Sequence, residues 1–117
     1  MGSTFFRKLP TPLEIKTMYP VPESVELQKQ KNDKEIRDIF TGASDKFAVI
    51  IGPCSADNQD AVEDYTNRLA KVQEQVKDKL FIIPRVYTNK PRTTGKGYKG
   101  MLHQPDPEKK PDLLQGL

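Results

Sequence analysis

The sequence predicts an α/β fold organised around one parallel βαβ unit, and three observations carry that prediction. Phe47-Ala48-Val49-Ile50-Ile51 is a short apolar run with three β-branched residues, the composition of a strand buried on both faces. Leu80-Phe81-Ile82-Ile83 is a second run of the same kind. Between them Val62, Tyr65, Leu69, Val72 and Val76 recur at spacings of three and four, the apolar stripe of a helix that lies on a sheet. Strand, helix and strand within about forty residues make the strands parallel neighbours with a right-handed crossover.

Composition narrows the class. The chain has 117 residues, enough for one domain at most. Its hydrophobic content of 35% and mean hydropathy of −0.69 lie on the polar side for a globular domain. A net charge of +3 and a pI near 9.0 suit acidic small molecules and are too mild to argue for a nucleic-acid partner. A single cysteine excludes an intrachain disulfide and fits a reducing compartment. No apolar run approaches a membrane span, no signal-peptide core is present, and Phe6 stands where a myristoylation signal needs Ser or Thr. The expectation is a soluble cytoplasmic protein with no membrane partner.

The chain opens with an arm, Met1 to Pro22, that carries four of the ten prolines. Phe5 and Phe6 are too apolar for a purely solvated tail, so the arm is expected to pack on the domain or on a partner subunit. Thr11-Pro12 supplies an N-cap and a first helical residue for a short helix through Met18. Tyr19-Pro20-Val21-Pro22 then breaks it. Glu23 to Phe40 reads as a second helix, with Ser24 as its cap and Gly42 as its stop. Its apolar residues, Val25, Ile36, Ile39 and Phe40, lie at the ends, and Lys29 to Lys34 is polar all round.

The first strand stops at Gly52-Pro53, and the next residue, Cys54, is the only thiol. The end of a buried parallel strand is where α/β folds put their chemistry. Inert core filler is the bland reading of one cysteine, and a position outside the apolar run argues against it. Asp57 or Asn58 caps the central helix. Asp60, Glu63 and Asp64 near its start, with Lys71, Lys77 and Lys79 toward its end, suit the helix dipole. Pro84 closes or bulges the second strand and re-aims Arg85. Parallel neighbours lie roughly 5 Å apart and end at one edge, so Cys54 and Arg85 should emerge side by side.

From Arg85 to Gly100 the chain holds Arg85, Lys90, Arg92, Lys96 and Lys99 and no acid, interleaved with Thr88, Thr93, Thr94, Gly95 and Gly97. Planar guanidinium forks, mobile ammonium groups, hydroxyls and amides near glycine make a cradle for phosphate. The spacing is not that of a Walker loop. A solvated basic loop is the competing reading, and a place beside the thiol favours the phosphate site. His103, the only histidine, reads as ordinary loop surface. Asp106-Pro107 and Lys110-Pro111-Asp112 are turn and helix-start chemistry, and Leu113, Leu114 and Leu117 open another apolar pattern. No third strand follows, so the chain reads as the first piece of a larger α/β protein.

Gly52-Pro53-Cys54-Ser55, Pro84-Arg85-Val86-Tyr87 and Lys90-Pro91-Arg92-Thr93-Thr94 closely resemble the start of type I 3-deoxy-D-arabino-heptulosonate 7-phosphate (DAHP) synthases. The related 3-deoxy-octulosonate 8-phosphate synthases share Gly-Pro-Cys but typically read Lys-Ala-Asn-Arg-Ser in the third motif, so Lys-Pro-Arg-Thr favours the heptulosonate enzyme. The resemblance implies a TIM (β/α)8 barrel, of which residues 47–117 are the first βαβ portion and residues 1–46 an N-terminal extension of arm plus helix. It implies condensation of phosphoenolpyruvate with erythrose 4-phosphate, the first step toward chorismate and the aromatic amino acids. It makes Cys54 a ligand of a divalent metal (Mn, Fe, Co or Zn) whose other ligands, a histidine, a glutamate and an aspartate, come from later strands. It assigns Arg85 to phosphoenolpyruvate, Lys90 to phosphoenolpyruvate and the reacting aldehyde as the catalytic group, and Pro91, Arg92 and Thr93 to the sugar phosphate. It links the arm to subunit contacts in a homo-oligomer and to feedback control by an aromatic amino acid. The alternative is a non-catalytic fragment that at most binds phosphorylated ligands or an intact homologue.

Overall fold

The computed structural model describes residues 7–90 and 92–117. The elements run α1 (Pro12–Met18), α2 (Glu23–Phe40), β1 (Phe47–Ile51), α3 (Gln59–Val76), β2 (Leu80–Pro84) and α4 (Leu113–Gly116). Phe5, Phe6 and Pro91 lie outside the described residues.

The short helix α1 begins as its sequence predicts and has a second half to its cap. Thr11 Oγ1 accepts from the Glu14 amide at 3.2 Å, and the Glu14 carboxylate accepts from the Thr11 amide at 2.6 Å. That capping box satisfies two orphan donors at once. The cap of α2 differs from expectation. Pro22, with φ −59° and ψ 144°, is the N-cap, no side chain caps the helix, and Ser24 is its second residue. The reason is the chain's path: the Pro22 carbonyl already receives the Val25 and Glu26 amides, both at 3.0 Å. The polar middle of α2 is held along its own surface. Lys29 pairs with Asp33, Lys34 with Asp38 at 2.8 Å, and Gln28 with Asn32 at 2.8 Å, all four residues apart. Gly42 then takes φ 79° and turns the chain toward the sheet.

β1 and β2 form a two-stranded parallel sheet, in register from Phe47 opposite Leu80 to Ile51 opposite Pro84. The Phe47 amide donates to Lys79 O at 3.0 Å and the Arg85 amide to Ile51 O at 2.9 Å. Backbone groups alternate between the two edges of a strand, so residues 79 and 85 face β1 while 80, 82 and 84 face away. Pro84 therefore lacks its N–H on the edge that β1 does not use, and the ladder closes one residue later. The other edge is met by α3. Gln73 Nε2 donates to Leu80 O at 2.9 Å, and the Ile82 amide donates to Gln73 Oε1 at 2.6 Å. One amide side chain thus occupies the positions a third strand's backbone would fill. At the start of α3, Asn58 Oδ1 accepts from the Ala61 amide at 2.9 Å, which decides between the two candidate caps.

The strands are not buried on both faces, contrary to their composition. Phe47 is 74% and Ile50 65% exposed, and Ala56 is the one buried apolar residue among those described. Burial on both faces requires layers on both faces, and here α3 packs on β2 while α2 only touches β1. The arm, by contrast, has a partner within the chain. Arg7 Nη1 lies 3.3 Å from Asp112 Oδ1, and Leu9, Leu13, Met18 and Leu114 line a shared groove of about 620 Å³. Asp112 also caps α4, accepting from the Gln115 amide at 3.2 Å. No helix among the described residues is long and apolar enough to cross a membrane.

Candidate functional site

The site begins where the two strands end. β1 leaves through Gly52-Pro53-Cys54 and β2 through Arg85. Their backbones approach so closely that a Cβ on Gly52 would stand 1.9 Å from Arg85 O. Only glycine allows this approach. Two residues on, the Ala56 amide donates to Tyr87 O at 2.7 Å, so the two exit loops stay paired beyond the sheet. Arg85 Nη1 donates to Pro53 O at 3.0 Å and lies 3.4 Å from Cys54 O, and its guanidinium sits 4.7 Å from the centre of the Tyr87 ring. The expected juxtaposition of Cys54 and Arg85 at one rim is present. The Cys54 thiol is free and exposed.

The basic loop folds back on itself. The Leu102 amide donates to Thr88 O at 3.0 Å and the Lys90 amide to Lys99 O at 2.8 Å. Gly100 makes the return possible: its φ is 103°, and a Cβ there would stand 2.2 Å from Thr88 O. Within the loop the Gly95 amide closes a turn onto Arg92 O at 2.9 Å, and Arg92 Nε donates to Tyr98 O at 2.8 Å. The fold-back frames an open cavity of about 350 Å³, lined by Tyr87, Asn89, Lys90, Arg92, Gly95, Lys99 and His103. Three of these side chains are cationic at neutral pH and none is acidic.

The candidates thus fall into two groups. Lys90 and Arg92 share the cavity, while Cys54 and Arg85 sit at the strand rim. Tyr87 joins the groups, with its ring beneath Arg85 and in the cavity wall. Thr93 is exposed in the turn and does not line the cavity, and Pro91 is outside the described residues.

His103 departs from the sequence reading. It is half-buried in the cavity wall rather than on open loop surface. Its position follows from the Thr88–Leu102 contact, which no local pattern signals. Tyr98 was also missed. Its hydroxyl donates to Gln104 O at 3.0 Å and lies 3.5 Å from Asp57 O. Burial, and then the Asp57 charge, holds its phenol above the ordinary range.

Arg92 and Lys90 offer the charge-assisted donors that a phosphomonoester needs, and a cavity of this size admits one. A metal site is a different matter. Among the described residues no three His, Cys, Asp or Glu side chains converge, so Cys54 offers a single donor and these residues do not fit a complete metal site.

Comparison with known proteins places these motifs. Residues 19–113 match the model of the DAHP synthetase I family. The chain is 35% identical over 112 residues to a phospho-2-dehydro-3-deoxyheptonate aldolase of Corynebacterium glutamicum, covering 96% of this chain and 30% of that protein. It is 37% identical over 99 residues to the phenylalanine-inhibited enzyme of that name from Saccharomyces cerevisiae, covering 85% and 26%. It is 34% identical over 109 residues to the Tyr-sensitive enzyme of Escherichia coli K12, covering 93% and 30%. A solved phospho-2-dehydro-3-deoxyheptonate aldolase from Francisella tularensis superposes with a TM-score of 0.86 at 29% identity, over 98% of this chain and 33% of that one. The chain spans less than a third of the length of the curated relatives it matches.

Proposed function

The chain belongs to the DAHP synthetase I family, and on that premise we propose that it carries the first substrate-binding elements of an enzyme that joins phosphoenolpyruvate to D-erythrose 4-phosphate. The product is DAHP, with release of inorganic phosphate. The supporting observation is the acid-free cavity holding Lys90 and Arg92 beside the rim that holds Cys54 and Arg85. In this reading residues 47–117 are the opening βαβ portion of a TIM barrel. Sites in that fold lie at the C-terminal ends of its strands, where this rim lies.

The chemistry divides among the residues. C3 of phosphoenolpyruvate attacks the aldehyde carbon, water adds at C2, and phosphate leaves with cleavage of the C–O bond. Arg85 uses one terminal nitrogen on Pro53 O, and its remaining N–H groups hold the anionic enol phosphate. Lys90 sits between the two substrates and steadies charge on the aldehyde oxygen as the new bond forms. Arg92 grips the phosphate of the sugar; the family resemblance assigns Pro91 and Thr93 to the same phosphate, although Thr93 does not line the cavity. Cys54 is one donor toward a divalent metal, and the described residues do not complete that metal's site.

Relatives named for phenylalanine and tyrosine support control by an aromatic amino acid; we propose that this control acts through the arm in a homo-oligomer. A second reading, ligand binding without turnover, is supported by the cavity itself, whose walls all come from residues 87–103. The deciding experiment measures DAHP formation by an intact enzyme carrying this sequence alongside calorimetric binding of each substrate. Turnover that is lost when Arg85 or Lys90 is changed establishes the first reading. Binding of erythrose 4-phosphate without product establishes the second, and neither would overturn both.

A further inference from the structure

Tyr98 makes no contribution to the cavity wall, yet it is the fixed point of the loop that builds it. Residues 92–97 and Lys99 are exposed, and Tyr98 alone between them is half-buried. Gly95, Gly97 and Gly100 all take positive φ, at 70°, 91° and 103°, so the segment has little backbone stiffness of its own. The Lys90 amide ties it at Lys99 O, and the Tyr98 side chain is its side-chain anchor. Its hydroxyl donates to Gln104 O at 3.0 Å, on the returning strand of the loop. Asp57 O, at 3.5 Å, is a second and longer acceptor in the segment between Cys54 and α3.

The backbone of the same residue receives Arg92. Arg92 Nε spends its one N–H on Tyr98 O at 2.8 Å, which fixes the plane of the guanidinium and leaves its two terminal nitrogens for a ligand. We infer that Tyr98 is a positioning residue for phosphate recognition: by anchoring the loop to Gln104 it sets the carbonyl that orients Arg92. Resting on the reading of the basic cavity as a phosphate site, this assigns to an uncharged residue outside the cavity a share of its affinity for a phosphomonoester.

The test uses inorganic phosphate as the probe and the full chain in four forms: wild type, Tyr98→Phe, Arg92→Lys and the double variant. Phenylalanine keeps the ring and removes only the donor. Phosphate affinity, read by calorimetry, is expected to fall roughly two- to tenfold in Tyr98→Phe, the range one hydrogen bond supports. With Arg92→Lys already present, the same change is expected to do almost nothing, because lysine has no Nε fork to orient. A merely structural role predicts an equal further loss in both backgrounds, and that result overturns the proposal. So do unchanged affinity in Tyr98→Phe and absence of phosphate binding by the wild type. DAHP formation is assayed in parallel with an intact enzyme carrying this sequence. Its absence there alongside the expected binding pattern refutes the enzymatic reading and leaves the role of Tyr98 standing.

Discussion

Arg85 Nη1 donates to the carbonyl oxygen of Pro53 at 3.0 Å, so the end of the second strand grips the exit turn of the first. The same guanidinium lies 3.4 Å from Cys54 O and stacks over Tyr87. A planar fork can make these contacts together and still present free N–H groups outward, whereas an ammonium cannot. On the proposed reading, Arg85→Lys in an intact enzyme carrying this sequence is expected to raise the KM for phosphoenolpyruvate roughly ten- to a hundredfold, the loss of a charge-assisted hydrogen bond, with a smaller effect on the sugar phosphate. Steady-state kinetics with each substrate varied in turn checks this. Equal losses for both substrates would contradict the assignment.

Gly52 and Gly42 make a paired test of why glycine stands at each position. A Cβ on Gly52 would stand 1.9 Å from Arg85 O, a backbone atom that cannot swing aside, whereas Gly42 has nothing within 4 Å and only its φ of 79° to defend. Gly42→Ala should cost about 1 kcal/mol, from left-handed backbone strain alone. Gly52→Ala should cost about 3 kcal/mol or more, because the strand ends must part to admit the methyl group. Chemical denaturation of the two variants ranks them, and a larger loss at position 42 would overturn the steric account.

The same contrast explains what could be read without coordinates. β1, α3 and β2 were legible because their patterns are local: β-branched runs, a stripe at three and four, a proline at the strand end. The rim pairing of Cys54 and Arg85 followed from parallel geometry. Ser24 was misread as a cap because a propensity says nothing of where the chain enters the helix, and Pro22 decides that. The exposure of Phe47 and Ile50 could not be read from their own composition, since burial depends on which layers cover the sheet. His103 and Tyr98 were invisible for a related reason. Their positions depend on a contact between Thr88 and Leu102 across a glycine-rich return, and no periodicity encodes it.

Gln73 caps the edge of β2 that faces away from β1, accepting from Ile82 and donating to Leu80. Gln73→Ala leaves both strand groups without that partner. A lost partner at a half-buried backbone group costs about 1–3 kcal/mol. An open, apolar strand edge also recruits other strands. The variant is expected to unfold at lower denaturant and to show more self-association by sedimentation velocity. An unchanged denaturation midpoint with unchanged sedimentation would mean that solvent serves the edge as well as Gln73 does.

Lys90 and Arg92 share one cavity but should fail differently when changed. Arg92 is held through Nε by Tyr98 O, so its terminal nitrogens are committed in direction before any ligand arrives. On the proposed reading, such a group in an intact enzyme carrying this sequence would bind the remote phosphate of the sugar equally in the ground and transition states. Arg92→Lys should then raise the KM for erythrose 4-phosphate there roughly ten- to a hundredfold with little change in kcat. Among the described residues Lys90 is tied through its backbone amide, to Lys99 O at 2.8 Å, and its ammonium group makes no hydrogen bond that would stop it following charge as it develops. Lys90→Ala should lower kcat as well as kcat/KM, because an interaction made at the reacting aldehyde is strongest in the transition state. A solvated basic loop predicts almost no change from either substitution. Near-wild-type kinetics for both variants would therefore remove the cavity from the proposed catalytic site, and a pure KM effect from Lys90→Ala would reduce that lysine to a second phosphate anchor.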